Sequence, residues 1–436
     1  MEMLLLTNIP EEYRPNRFSH LMGGLKFTLL LVFLLGMLCF STPATVKGEE
    51  VNLDDALALF YKNNYDVLIT RYEIDKAYAD YVTAKLRPNP IFSFNAIGLD
   101  YYSGYPRRDD TTQVTTRIDQ LIELGGKRKL RTESALAGHE VATLAYRDVI
   151  RNLLIGFYAV YYNLHLDQLN IDFAKDELKR FDHILDIAER RFNAGFLSQL
   201  DYTKINLAKI DLENNLTNSE AQLKKDLENF NFLIGGDKQF GPSRLVIQDV
   251  FPTFSEENLI EAGLKNRYDL LAVQKQSEVA RHNMALAKAL RIPDLSVGVE
   301  YDSFGADGAS RVGGGISIGI PVFNRAQGTI LRSNAEYKQV EEQIKRVRRL
   351  VISDVRQSLT TYQSSFKVFD AYKTRRAEME GLLGKSETAF SLGGITVLDL
   401  LDTRRTYRDF ITKYNQTLTQ ALLNQELIRV YTGEVR

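Results

Sequence analysis

The chain has 436 residues, 44% of them hydrophobic and 25% charged, with 55 basic against 56 acidic side chains and a net charge of −1. Such a composition excludes a disordered chain, which buries too little apolar surface to offset its ordering entropy. It also gives no electrostatic case for a nucleic-acid partner. The one basic run, KRVRR at 345–349, sits in a helical charge pattern and reads as a solvated helix face.

The N-terminus reads as a secretory leader. Lys26 precedes FTLLLVFLLGMLCF, an apolar run of about 14 residues, and small residues follow it. The run is short for a membrane span. The expected leader is 1–48, cut near 44–48, with Met22 an alternative start to Met1. Cys39, the only cysteine, lies within it, and bulky Leu38 before it fits lipoprotein cleavage poorly. A chain cut there has no disulfide, no cysteine nucleophile and no cysteine metal site.

After the leader the chain is written twice. KNNYDVL (62–68) matches KNRYDLL (265–271), and AKLRPNP (84–90) matches AKALRIP (287–293). FNAGFLSQLD at 192 returns as FSLGGITVLD at 390. The predicted repeats are 49–235 and 255–436, joined by a Gly- and Pro-marked linker at 236–254. Each repeat predicts the same order. A helix (about 53–86; 256–290) ends at prolines. Two strands follow (91–102 and 112–122; 294–304 and 311–320), then a very long helix (127–193; 326–391), a glycine turn and a last helix (198–233; 396–431).

The strands alternate. Leu295, Val297, Val299 and Tyr301 share one face, and Ser296, Gly298 and Glu300 the other. Val312, Ile316, Ile318 and Ile320 likewise oppose Gly313, Gly315, Ser317 and Gly319. About ten residues is the length of a tilted strand crossing a bilayer. Four strands cannot close in lipid, where unpaired backbone groups cost several kcal/mol each. Several copies must therefore share one barrel of eight, twelve or sixteen strands, from two, three or four chains. The alternative from these residues alone is a pair of soluble hairpins in a periplasmic coiled-coil scaffold.

The long helices, about 65 residues each, reach roughly 100 Å. In 200–234, Leu200, Leu207, Leu212, Leu216, Leu223, Leu227, Phe230 and Ile234 form a narrow coiled-coil-like seam with polar residues between them. Gly195 and Gly393 stand where one long helix ends, and Ser198 or Thr396 suits the N-cap of the return helix. The repeated phrase is therefore a helical hairpin tip.

This order resembles the TolC-type outer-membrane efflux family over nearly all of the chain beyond residue 50. The specific residues are QLIELGGKRKLR (120–131), IGIPVFNRAQ (318–327), RFNAGFLSQLD (191–201) and AFSLGGITVLDLLD (389–402); the ELGGKR wording resembles the heavy-metal cation branch. The resemblance implies an α+β membrane protein whose unit is a helix, a β-hairpin and a long helical hairpin. It implies a homotrimer, each chain giving four transmembrane β-strands to a 12-stranded β-barrel and long α-helices to a periplasmic tunnel. Expected partners are a periplasmic adaptor protein, an inner-membrane pump of the proton-driven RND type, and outer-membrane lipid.

The implied function is a passive exit duct of a tripartite efflux system for small solutes or metal cations, with a duct for type I protein secretion as the variant. The resemblance places adaptor contacts at Phe192, Gly195, Phe390 and Gly393, and a tunnel constriction at Asp399 and Asp402. Threefold symmetry would gather those acids into rings; as residues alone they also suit the first turn of a helix. The family's gate uses a Tyr and an Arg where this chain has Phe390 and Ile395, so the usual latch is in doubt. No catalytic or cofactor constellation is expected: the five histidines have no metal-ligand spacing.

Overall fold

The computed structural model describes residues 49–100, 107–236, 239–244, 251–304 and 308–434. The expected leader and the tyrosines of the first hairpin tip (Tyr101, Tyr102, Tyr105) lie outside them. The first repeat runs β1 (Glu49–Val51), α1 (Leu53–Asn63), α2 (Tyr65–Lys85), β2 (Ile91–Asp100), β3 (Arg107–Ile122), α3 (Lys127–Asn193) and α4 (Gln199–Ile234). After β4 (Phe240–Pro242), the second runs α5 (Glu256–Asn266), α6 (Tyr268–Ala289), β5 (Leu295–Phe304), β6 (Ser310–Ile318), α7 (Gln327–Ser391) and α8 (Val397–Thr432).

The opening helix of each repeat is two helices rather than one. Buried Asn64 interrupts the first, accepting from the amides of Asp66 (3.0 Å) and Val67 (3.1 Å) and donating to Leu233 O (2.8 Å). Its twin, Arg267, interrupts the second. That guanidinium is buried and held by Asp269 (2.6 Å), Asp354 (3.1 Å) and Tyr431 O (3.4 Å). Both breaks meet a glycine that closes the repeat's last helix. A Cβ on Gly235 (φ 63°) would lie 2.7 Å from Asn63 O, and one on Gly433 (φ 79°) 2.8 Å from Asn266 O. The connection between repeats is not featureless either, because β4 pairs in parallel with β1.

The long strands form one antiparallel sheet, β2-β3-β5-β6, with β3–β5 joining the repeats. Facing residues share a side, so register sorts the two surfaces. One carries Phe92, Phe94, Ile118, Val297, Val299, Tyr301, Val312, Ile316 and Ile318, up to 77% exposed. The other carries Thr115 opposite Asp302, Arg117 opposite Glu300, and Asp119 opposite Gly298. Arg117 lies flat along this side, bonded to Asp119 (2.7 Å) and Glu300 (2.8 Å). It crosses Gly298, where a Cβ would stand 2.7 Å from its Nη2. Within the described residues β2 and β6 are paired on one edge only.

In the helical part nearest the sheet, α3 packs between α2 and α6, and α6 packs on α7. Farther out the order is α4-α3-α8-α7. The main core lies between these zones, where Phe60, Phe157, Tyr161, Phe230, Phe369 and Leu418 are buried together. Each such aromatic stabilises by about 3–5 kcal/mol against truncation to Ala.

Candidate functional site: the two helical hairpin tips

Both tips close with the same local chemistry. At the end of α3, Gly195 N–H donates to Phe192 O (3.0 Å) and Phe196 N–H to Arg191 O (2.8 Å). At the end of α7, Gly393 N–H donates to Phe390 O (3.0 Å) and Gly394 N–H to Ala389 O (2.8 Å). Such reversals satisfy orphan helix carbonyls and require a left-handed residue, here Gly195 (φ 76°) and Gly393 (φ 80°). The return helices are capped alike. Ser198 Oγ accepts from Asp201 N (3.1 Å), and Thr396 Oγ1 from Asp399 N (3.2 Å).

Asp399 completes a capping box: its Oδ2 accepts from Thr396 N (3.1 Å) and from Thr396 Oγ1 (2.6 Å). Those two bonds from Thr396 hold its carboxyl below the usual range. Asp402 follows one turn later and is exposed. The two acids thus stand on one side of the start of α8. Ile395 is half-buried in the tip core.

The phenylalanines do not project as sequence reasoning expected. Phe192 stacks on Tyr202 with centroids 4.8 Å apart. Phe390 is only 1% exposed, packed with Phe181, Ile184, Val397 and Leu400. Its ring is therefore a core group and offers no contact surface. The bare apolar side chains at the tips are Phe196 (77%), Leu392 (82%), Leu200 (66%) and Leu398 (66%). The repeated Phe-to-Gly spacing drew attention to the buried anchor of the turn. The exposed group lies one residue past the glycine in one tip and one before it in the other.

The tips are linked. Arg191, on α3, donates from Nη1 to Phe390 O (2.6 Å) and lies 5.1 Å above that ring. Deeper, buried Arg404 on α8 pairs with Glu387, donates to Glu177 O (3.4 Å) and covers Phe181. Among the described residues no group of His, Cys, Asp or Glu is placed to hold a metal ion. No described helix is long and apolar enough to cross a membrane.

This fold, a two-faced sheet continued by a helical hairpin wall, is that of a TolC-type channel. The model of the outer membrane efflux protein family matches residues 57–236 and again 259–434, so the chain belongs to that family. It is 26% identical over 284 residues to the outer membrane protein TolC of Vibrio cholerae, covering 60% of this chain and 63% of that one. It is 22% identical over 386 residues to the cobalt-zinc-cadmium resistance protein CzcC of Cupriavidus metallidurans, covering 87% and 88%. The crystal structure of the channel CusC superposes with a TM-score of 0.75 at 16% identity, covering 88% and 93%.

Proposed function

We propose that three copies of this chain form a duct, with a twelve-stranded barrel in the outer membrane and a tunnel of helices in the periplasm. The carrying observation is the sheet: an exposed apolar face, a charged and glycine-lined face, and two edges left for pairing. In lipid such edges must pair with other copies. The duct would be the passive exit of a tripartite efflux system, fed by a periplasmic adaptor and an inner-membrane pump of the proton-driven RND type. Residues 1–48 would be the removed leader, 49–235 and 255–436 the repeats, and 236–254 their connection.

The substrate class we propose is small solutes including divalent metal cations, which the likeness to CzcC supports. The tips, with Gly195 and Gly393 fixing the turns and Phe196 and Leu392 bare beside them, would meet the adaptor. Asp399 and Asp402 would line the tunnel mouth as acidic rings that attract and retain cations. Because Asp399 also caps α8, Asp402→Asn is the cleaner probe. Planar-bilayer recording should show higher conductance or weaker divalent-cation block for Asp402→Asn. Unchanged conductance and block would remove this acid from the mouth. Asp399→Ala should in addition cost about 1 kcal/mol of tip stability.

A further inference from the structure

The apolar core of the helical wall is interrupted a few turns from the tips. Along α8, Val397 and Leu400 belong to the tip core, and Leu418 and Leu422 to the main core. Between them Tyr407 and Ile411 form only a small group with Leu383 of α7. At this level Glu177 of α3 and Arg404 of α8 are buried, 6% and 4% exposed. Their side chains are not a pair. The Arg404 guanidinium is held by Glu387 and by the backbone carbonyl of Glu177. The Glu177 carboxylate has no hydrogen bond and no ion pair among the described residues. Burial holds it above the usual carboxylate range, although the charges of Arg404, Arg408 and Arg180 pull the other way. A buried carboxylate without a partner is costly, so a guest that pairs with it gains affinity by relieving that cost.

There is room for such a guest. A cavity of about 210 Å³ lies between α3, α7 and α8, and Glu177 borders it. Its apolar side is Phe173, Leu383, Tyr407 and Ile411, with the Phe173 and Tyr407 rings 6.0 Å apart. Its charged side holds four acids, Asp172, Asp176, Glu177 and Glu380, and three bases, Arg180, Arg376 and Arg404. Most of these already have partners. Glu380 bonds Arg376 (3.1 Å), Asp172 stands 3.8 Å from Arg244, and Arg404 is taken by Glu387. Asp176 and Glu177 are left against Arg180, so the free charge at the cavity is negative. A bare inorganic cation wants a shell of about six oxygens, which the four apolar side chains cannot supply.

We infer that this cavity binds a small organic cation, a primary ammonium on an aromatic or short aliphatic body. The ammonium pairs with Glu177, and the body lies on Phe173, Leu383, Tyr407 and Ile411. The two ring faces add cation–π attraction. Drug-sized sites have about 300–1,000 Å³, so this volume limits the guest to a fragment. Once bound, it ties α3 to the α7–α8 hairpin at the level where the apolar core does not. Every contact comes from one chain, so the site stands or falls independently of the number of copies in the duct.

Calorimetric titration of benzylammonium chloride into the detergent-purified full chain, against a detergent-matched blank, tests the site. The ammonium should bind saturably. Benzyl alcohol, the same body without the charge, should bind about tenfold more weakly or worse. Glu177→Gln keeps the shape and removes the charge, and should weaken the ammonium about tenfold or more. Asp167→Asn alters an acid that borders a neighbouring cavity and not this one, and should bind like the parent. Thermal unfolding checks that each protein is folded. Three results overturn the site: no saturable binding to the folded parent, equal binding to Glu177→Gln, or equal binding of the alcohol. A loss at Asp167→Asn as large as that at Glu177→Gln overturns it as well. Should Glu177→Gln fail to fold, the comparison of ammonium with alcohol on the parent decides alone.

Discussion

Arg191 and Phe390 join the two tips across 199 residues of chain: a guanidinium N–H to the last-turn carbonyl of α7 at 2.6 Å, and the same group over the ring. Arginine suits this place because the carbonyls ending a helix carry the negative end of the dipole, and Phe390 O, which already accepts from Gly393 N–H, has a second lone pair to offer. Its twin position holds Ala389, so the link has no counterpart in the other repeat. Arg191→Met should weaken the second tip by about 1.5–3 kcal/mol, the usual range for a hydrogen bond to a charged group. Amide exchange at 392–396 should quicken roughly tenfold or more, with the α3 tip little changed.

The four matched glycines should separate into two classes. Gly195 has open space around the missing Cβ, and the nearest atom to that point on Gly393 is an Arg191 nitrogen at 3.5 Å. Alanine at either tip should cost only left-handed strain, about 1–2 kcal/mol. At Gly235 and Gly433 the same Cβ meets backbone of the preceding break below 3.0 Å. Gly433→Ala should therefore lower the thermal midpoint well beyond Gly393→Ala. Equal shifts would contradict this packing.

Arg267 is 1% exposed and balanced by Asp269 and Asp354. Its removal strands two carboxylates, and Arg267→Ala should destabilise by about 3–5 kcal/mol. Adding Asp354→Asn should recover part of that loss, a coupling that a double-mutant cycle in denaturant would measure.

Two groups two residues apart on α3 should give opposite pH slopes. Burial first, then contact with Asp226, pushes the Asp167 carboxyl up to about 7. From about pH 4 to 7 the native chain therefore holds a proton that the unfolded chain has released, and stability falls as pH rises. Burial pushes His165 down to about 4. Between that value and its ordinary 6.5 the unfolded chain binds the extra proton, and stability falls as pH drops. The stability of Asp167→Asn relative to the parent should thus improve from pH 5 to 8, and that of His165→Leu from pH 7 to 5. Thermal midpoints across that range check both.

Strands and long helices were legible because each carries its own period, two for the sheet and a seven-residue seam for the hairpins. The breaks at Asn64 and Arg267 were not, since partners more than 80 residues away, Leu233, Asp354 and Tyr431, hold them. The β1–β4 pair was hidden because three residues display no period. At the tips the glycines and caps were readable from local chemistry. Phe390 was expected as a contact and is instead buried, covered in part by Arg191 of the other repeat, while the bare Phe196 was not singled out. Repetition marks what the turn needs, whereas the two barest tip residues, Phe196 and Leu392, fall where the repeats differ, facing Gly394 and Ala194 in the alignment.

The β3–β5 pairing also has a kinetic consequence. In a ring of n two-repeat chains there are twice n joints in the wall, and half of them form inside a single polypeptide. Those joints are unimolecular and insensitive to dilution, so only the other half waits on diffusional encounter. In the ring proposed above, carrying two half-units on one chain would lower the reaction order of assembly and bring each chain to it with part of the wall already built.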